Sequence, residues 1–394
     1  MDIASATPER AKRFITFADL DQLVHQRFRD NTGIEIRHLT LGAVRRMTMY
    51  FDRLEQQVKR VANSSSSIFV EHRRGVDLTT DGRLLWSVLR DVQAEAATAL
   101  CEGRRLNPWL AVGLHLARKW GPKLRPYAFC NPNHLDVNHE SARRMMGHVV
   151  KVIRKVCRSR KFRARVNNDT RNAKENYLSC AELVIDVLKE DARLLILRVD
   201  LYFDGDARVL SESEAANKAY DKFLSHLRND QILQDVIFYI GKRETGLEKL
   251  IHYHLLIAVD GDLHRNAFQL TEQLGAFWVH HCVGAESLAS YFNCWPRRHE
   301  LEYNCMGLMH YSDSRMLMGL RLALEYLCKE GTHILVSEHM GRNLRKSIRP
   351  KTRADASRRG APRKHGNDVH VAQQVLLTDV KIDRTWGVER AYRP

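Results

Sequence analysis

The sequence predicts an α+β protein: a largely helical N-terminal region followed by an antiparallel sheet with helices against it. Two observations predict this. Through residue 165 or so, apolar side chains recur at helical spacing, as in Leu39–Val61 with Met47, Met49, Tyr50, Phe51 and Leu54. From about residue 176, apolar runs of strand length appear at Leu194–Phe203, Asp235–Gly241 and Leu250–Val259. Gly246 marks a hairpin turn between the second and third.

The elements follow in order. Leu84–Leu100 repeats the helical pattern after a turn-like break at Leu78–Leu84, and Asn63–Ser67 is a short polar bridge. Asn107 caps a further helix whose first position is Pro108, a residue with no N–H to leave unsatisfied. Arg143–Lys174 is strongly basic, with Arg154, Lys155, Arg158, Arg160, Lys161 and Arg163 at its centre. Acidic partners at helical spacing are missing there, which favours a nucleic-acid backbone contact; a solvated helix face is the alternative. Tyr177–Lys189 is helical. Ser211–Arg228 is a helix with Ser211 as cap and Glu214 three residues on. A helix at Ala267–His280, a fourth strand at Glu302–Met309, a helix at Arg315–Lys329 and a short strand at Ile334–Ser337 complete this part. Gly341–Gly366 is basic and rich in turn formers, with Asp355 its single acid, and reads as a mobile arm ordered on a polyanion. Val369–Val380 alternates like a strand. The expected division is a helical region at 1–165, a sheet-based domain at 176–340 and a basic tail at 341–394.

Composition narrows the partners. The 394 residues carry a formal net charge of +16, which attracts polyanions, nucleic acid first. At 44% apolar the chain is too hydrophobic to be a disordered protein. No apolar run approaches the ~20 residues needed to span a bilayer. Met1–Arg13 lacks the apolar core of a secretory signal, so a cytoplasmic protein without a membrane partner is expected. None of the eight cysteines forms a Cys-x-x-Cys pair, and reduced thiols are expected. His280, His281, Cys282, Cys294 and Cys305 are spaced too irregularly for a zinc site.

The chemistry gathers on three elements. His252 and His254 lie two apart in an apolar strand, so both imidazoles face one way and form half of a divalent metal site. Glu244, on the neighbouring strand, is the preferred third ligand, because hairpin partners lie about 5 Å apart; Asp200 on the first strand is the alternative. Tyr326 and Lys329 share a helix face. A metal that polarises a phosphate, a tyrosine that attacks it and a lysine that offsets the developing charge together describe a phosphodiester-cleaving site.

In the order strand, His-x-His strand and Tyr-x-x-Lys helix, the chain resembles the HUH endonucleases, the rolling-circle replication initiators and relaxases. More narrowly it resembles the phage and prophage family of inovirus-type replication proteins, or YagK/YfjJ C-terminal domain proteins. Leu197-Arg198-Val199-Asp200-Leu201-Tyr202-Phe203, Ile251-His252-Tyr253-His254-Leu255-Leu256 and Ala323-Leu324-Glu325-Tyr326-Leu327-Cys328-Lys329 carry the resemblance. It implies a ferredoxin-like or RRM-like antiparallel core, with His252 and His254 as ligands of Mg²⁺ or Mn²⁺, Tyr326 as nucleophile and Lys329 beside it. It also implies single-stranded or cruciform origin DNA as substrate, a 5′-phosphotyrosine product that is rejoined, and host replication proteins as partners. Arg198 joins the basic segment as a DNA contact. The first strand departs from the initiators' threonine-rich pattern, and the single tyrosine on the last helix suits a one-tyrosine mechanism. A non-catalytic DNA-binding regulator on the same fold is the alternative. A primase-like polymerase, using Asp200 and Asp204, would leave Tyr326 without a role.

Overall fold

The computed structural model describes residues 41–73, 75–101, 105–126, 140–204, 214–246, 250–284, 288–329, 334–335, 342–348 and 366–379. The N-terminal helices are α1 (Leu41–Asn63), α2 (Thr80–Arg90), α3 (Gln93–Leu100), α4 (Pro108–Leu124) and α5 (Glu140–Cys157). They bury one apolar cluster, in which Tyr50, Phe51, Leu54, Leu89, Leu110 and Met146 are inaccessible to solvent. Asn107 caps α4 as expected: its side chain accepts from the Trp109 amide and also donates to Glu55 Oε1 at 3.0 Å. The turn-like break before α2 is shorter than expected, because Thr79 caps that helix by accepting from the Gly82 amide. A two-stranded hairpin, β1 (Phe69–His72) and β2 (Gly75–Leu78), lies within a stretch with no clear period-two signal.

The basic segment continues into one long helix, α6 (Arg160–Glu190). It contains neither Gly nor Pro, and Ser159 caps it by accepting from the Phe162 amide. α6 runs through the expected junction between the two regions. Phe162 packs edge-on against Trp109 in the helical cluster, with ring centroids 4.7 Å apart, whereas Tyr177, Val184 and Leu188 are buried against the sheet.

The sheet comprises β4 (Arg193–Phe203), β5 (Val236–Gly246), β6 (Leu250–Asp260), β7 (Ala289–Asn293), β8 (Gly307–His310) and β10 (Leu344–Lys346). All its pairings are antiparallel, in the order β10-β5-β6-β4-β7, with β8 also pairing with β4. β4 is long enough to serve two short neighbours on one edge: β8 pairs with Arg193–Ile196 and β7 with Val199–Phe203. A separate short pair joins β3 (Arg105–Leu106) to β9 (Ile334–Leu335).

Both sheet faces are covered. Odd-numbered residues of β4 and β6 bury against α7 (Glu214–Arg228) and α8 (Ala267–Phe277). Even-numbered ones face α6, α9 (Ser314–Cys328) and α10 (His370–Leu377). The observed class is mixed helix and antiparallel sheet. Among the described residues no helix is long and apolar enough to cross a membrane.

Two expectations for the C-terminal part are corrected. The Val369–Val380 segment forms helix α10 rather than a strand. Val369, Ala372 and Leu376 are buried at helical spacing. Tertiary donors satisfy the carbonyls at its end: Tyr177 donates to Leu376 O at 2.7 Å, and Arg321 donates to Val375 O and Thr378 O. The alternating valines concealed this, because the helix depends on partners far away in the chain. The arm expected from Gly341 is anchored at its start, where β10 extends the sheet beside β5. Lys346 donates to Ser179 O, and Arg345 pairs with Asp221. The rest of that arm and the Ser211 cap lie outside the described residues.

Two predictions arise from this packing. Gly319 on α9 lets that helix approach the chain at Asn304, where an added Cβ would lie 2.5 Å from the Asn304 carbonyl carbon. Backbone cannot yield as a side-chain tip does, so Gly319→Ala is expected to cost about 1–3 kcal/mol in denaturant unfolding. Burial pushes the Cys157 thiol up to about 11 and the Cys305 thiol up to about 12. Both should resist iodoacetamide at pH 8 in the native protein and react after unfolding, as read by peptide mass spectrometry.

Candidate active site

One end of the α9-facing side of the sheet changes from apolar to ionisable. Along β4, Leu194 and Ile196 give way to Arg198 and Asp200; along β5, Phe238 and Ile240 give way to Lys242 and Glu244. Along β6, read backwards, Ala258 and Leu256 give way to His254 and His252. The period of two places all six polar side chains on one face. Antiparallel register then brings them together: His254 pairs with Asp200 on one side and Lys242 on the other, and His252 pairs with Glu244.

The ligand atoms of Glu244, His252 and His254 all lie within 4.8 Å of one another, a grouping that can hold a metal ion. Both imidazoles are buried, with ring centroids 4.9 Å apart, and Tyr202 stacks on His252 at 5.7 Å. Asp200 Oδ1 lies 2.8 Å from His254 Nδ1, so Nδ1 carries a proton and donates to the carboxylate. The other nitrogen, Nε2, faces Glu244 Oε2 at 3.3 Å. Burial alone would raise the Glu244 carboxyl. The Lys242 ammonium, the hydrogen bond with His254 and the Lys329 ammonium outweigh that and hold it well below the usual range. An ionised carboxylate facing a ring nitrogen needs a positive charge between or on them: a proton on Nε2 or a cation. One oxygen and two imidazole nitrogens suit a divalent cation, and the residues present fit one.

Tyr326 reaches this group from α9. Its hydroxyl lies 3.3 Å from both Glu244 Oε2 and His254 Nε2. Three cations surround its ring: Lys329 Nζ at 4.2 Å, the Arg198 guanidinium at 5.2 Å and Lys242 Nζ at 5.5 Å from the centroid. Lys242 also donates to the Tyr326 carbonyl at 3.4 Å, tying the helix to β5. Burial alone would lower the Arg198 guanidinium, but Asp200, with Cys294, Tyr326 and Cys305, moves it up, so it stays charged. Any negative charge that develops on the phenol oxygen therefore meets fixed positive charge in a dry setting.

The structure thus brings together His252, His254, Glu244, Tyr326 and Lys329. Asp200, the alternative ligand, holds His254 from behind, and Glu244 occupies the ligand side. Arg198 was expected to contact DNA but is only 3% exposed, so it acts from beneath the tyrosine. Of the basic set, Arg154 donates to the carbonyls of Val61 and Ser66. Arg158 donates to those of Ala62 and Ser64, so this pair satisfies the end of α1. Lys155, Arg160, Lys161 and Arg163 are exposed. Lys242 was missed in the sequence, although its spacing of two from Glu244 repeats the signal that singled out the histidines.

Residues 158–333 match the family model described as YagK/YfjJ C-terminal domain. The match runs from the turn before α6 to just beyond α9 and includes every residue of the site. No curated protein and no solved structure matches the chain.

Proposed function

We propose that this protein is a DNA replication initiation protein of the HUH endonuclease kind, which nicks single-stranded origin DNA and rejoins it through a tyrosine. The observation that carries the reading is the convergence of the Tyr326 hydroxyl on Glu244 and His254 within a His-x-His grouping able to hold a metal ion. The family match is compatible with a prophage-type protein. Glu244, His252 and His254 would hold Mg²⁺ or Mn²⁺, which when bound supplies positive charge to the scissile phosphate.

The chain's own residues account for the rest. Tyr326 Oη gives up its proton to solvent water and attacks phosphorus. The bond from phosphorus to the 3′-oxygen breaks, that oxygen takes up a proton from solvent water and leaves as a hydroxyl, and the 5′-phosphate stays on the tyrosine. Lys329, Arg198 and Lys242 offset charge at the tyrosine. Asp200 keeps His254 oriented with Nε2 towards the reacting atoms. Rejoining is the reverse attack by a 3′-hydroxyl.

The test is incubation of the full chain with labelled single-stranded oligonucleotides from its own gene neighbourhood, with Mn²⁺ or Mg²⁺, read on a denaturing gel. A covalent protein–DNA band that chelator abolishes is expected. Tight metal-independent binding with no band on any oligonucleotide would instead make the protein a non-catalytic DNA-binding regulator.

A further inference from the structure

The helical region carries a second cationic surface, remote in sequence from the sheet. On α5, Arg144, His148, Lys151 and Lys155 recur at intervals of four, three and four and are all exposed. The opposite side of that helix buries Ala142, Met146, Val149, Val150, Ile153 and Cys157. The exposed stripe is thus the outward face of a packed helix, and its direction is set by the core. α4 lies alongside and contains no acidic residue. Its Trp120 is half-buried, with its ring centroid 5.3 Å from that of His148. Lys123 Nζ and Lys119 Nζ sit 5.1 and 5.6 Å from the Trp120 centroid. The indole joins the two helices and holds two ammonium groups beside the α5 stripe. Glu140, at the first position of α5, pairs with Arg144. Among the described residues, Lys119, Lys123, Lys151 and Lys155 have no acidic partner.

We propose that this α4–α5 face binds the phosphate backbone of duplex DNA. From Arg144 to Lys155 the stripe runs about 16 Å along the helix axis. Duplex DNA presents a phosphate every ~3.4 Å of axis per strand, so several fall within its reach. The shape argues for a duplex rather than a single strand: stacking platforms for unpaired bases need successive aromatic rings, and here one half-buried Trp serves to hold lysines. It also argues against a lipid surface. Interfacial helices insert an exposed apolar face, whereas on α5 the exposed large hydrophobic residue is Val156, about a third of a turn from the stripe. Arg144, His148, Lys151 and Lys155 lie within the basic segment Arg143–Lys174 singled out in the sequence; Lys119, Trp120 and Lys123 are joined to it by the fold. The inference rests on charge and packing and stands whether or not Tyr326 cleaves DNA.

The test is fluorescence anisotropy of the full chain with a labelled 25-base-pair duplex over a series of KCl concentrations. Replacing Lys119, Lys123, Lys151 and Lys155 together by Gln should make the plot of log affinity against log salt shallower by about 3 to 4, near 0.9 for each phosphate no longer neutralised. The same four positions changed to Arg should keep the wild-type slope, which separates charge from folding. Removing three lysines elsewhere, Lys189, Lys218 and Lys222, should leave it unchanged. A slope within about one unit of wild type in the stripe variant, or an equal loss in the control, would overturn the inference. So would stripe-dependent binding to phosphatidylserine vesicles without duplex binding.

Discussion

Tyr326→Phe should leave the protein folded and DNA-bound while eliminating the covalent protein–DNA product. The substitution removes one oxygen and keeps the ring, whose contacts with Lys329, Arg198 and Lys242 need only the π face. Its structural cost is the loss of hydrogen bonding with Glu244 and His254, about 0.5–1.5 kcal/mol net. The cost to chemistry is of another order. Without a nucleophile no phosphotyrosine can form, and cleavage should fall by on the order of 10⁴-fold or more. The measurements are the denaturing-gel assay and thermal unfolding of the same samples. Cleavage that persists in the phenylalanine variant with wild-type metal dependence would mean that water, or another residue, attacks the phosphate. The reading of Tyr326 would then fail even if the metal site stood.

Asp200 offers the second large effect, and its two substitutions should separate two roles. Its carboxylate bonds His254 Nδ1 and lies 3.8 Å from Arg198 Nε in the protein interior. Asp200→Ala removes the compensation for a buried guanidinium, and breaking one side of such a pair costs about 3–5 kcal/mol. Asp200→Asn keeps the shape and an oxygen able to accept from Nδ1, so part of that loss should be recovered. In both variants, losing the carboxylate behind a ligand histidine should weaken Mn²⁺ binding about 10–100-fold. Calorimetric Mn²⁺ titration with parallel unfolding curves reads the two effects separately. A stability loss with unchanged Mn²⁺ affinity would show that His254 is not a ligand.

Glu244 shows how charge in this site depends on its neighbours. Its carboxyl is held below its ordinary value in the folded chain, so it contributes stability that is present above the unfolded value near 4.5 and is lost as pH falls through the folded one. At neutral pH it is ionised, as a hard-cation ligand must be. The lysine first among the groups that offset its burial, Lys242, is on its own strand two residues earlier, and Lys329 comes from the far end of α9.

The helices and long strands were legible in the sequence because their signal is local. A period of 3.6 or 2 in apolar residues reports the face a segment buries, whatever it buries it against. So α1, α4, α9, β4 and β6 were recognisable, and with them the shared face of His252 and His254. The short strands β1, β2, β7 and β10 escaped because three to five residues hold too few repeats to define a period. α10 was misread because its helical state depends on Tyr177 and Arg321, which the chain brings to it from 199 and 54 residues away.

The sequence by itself determined which chemical groups this protein possesses: two imidazoles on one strand face, a Tyr and a Lys three apart, and a surplus of positive charge. Only the tertiary structure decided what they do to one another. Antiparallel register set Glu244 against His252 and Asp200 against His254, and a glycine at 319 let α9 come close enough to deliver Tyr326. Burial turned Arg198 from a candidate surface contact into a fixed charge under the tyrosine. The helical core sent the Arg154 and Arg158 side chains to backbone carbonyls and turned Lys151 and Lys155 outward. Composition counts charges. Whether a charge meets solvent, a carbonyl or another charge depends on distances between segments far apart in the chain, and no local pattern encodes those.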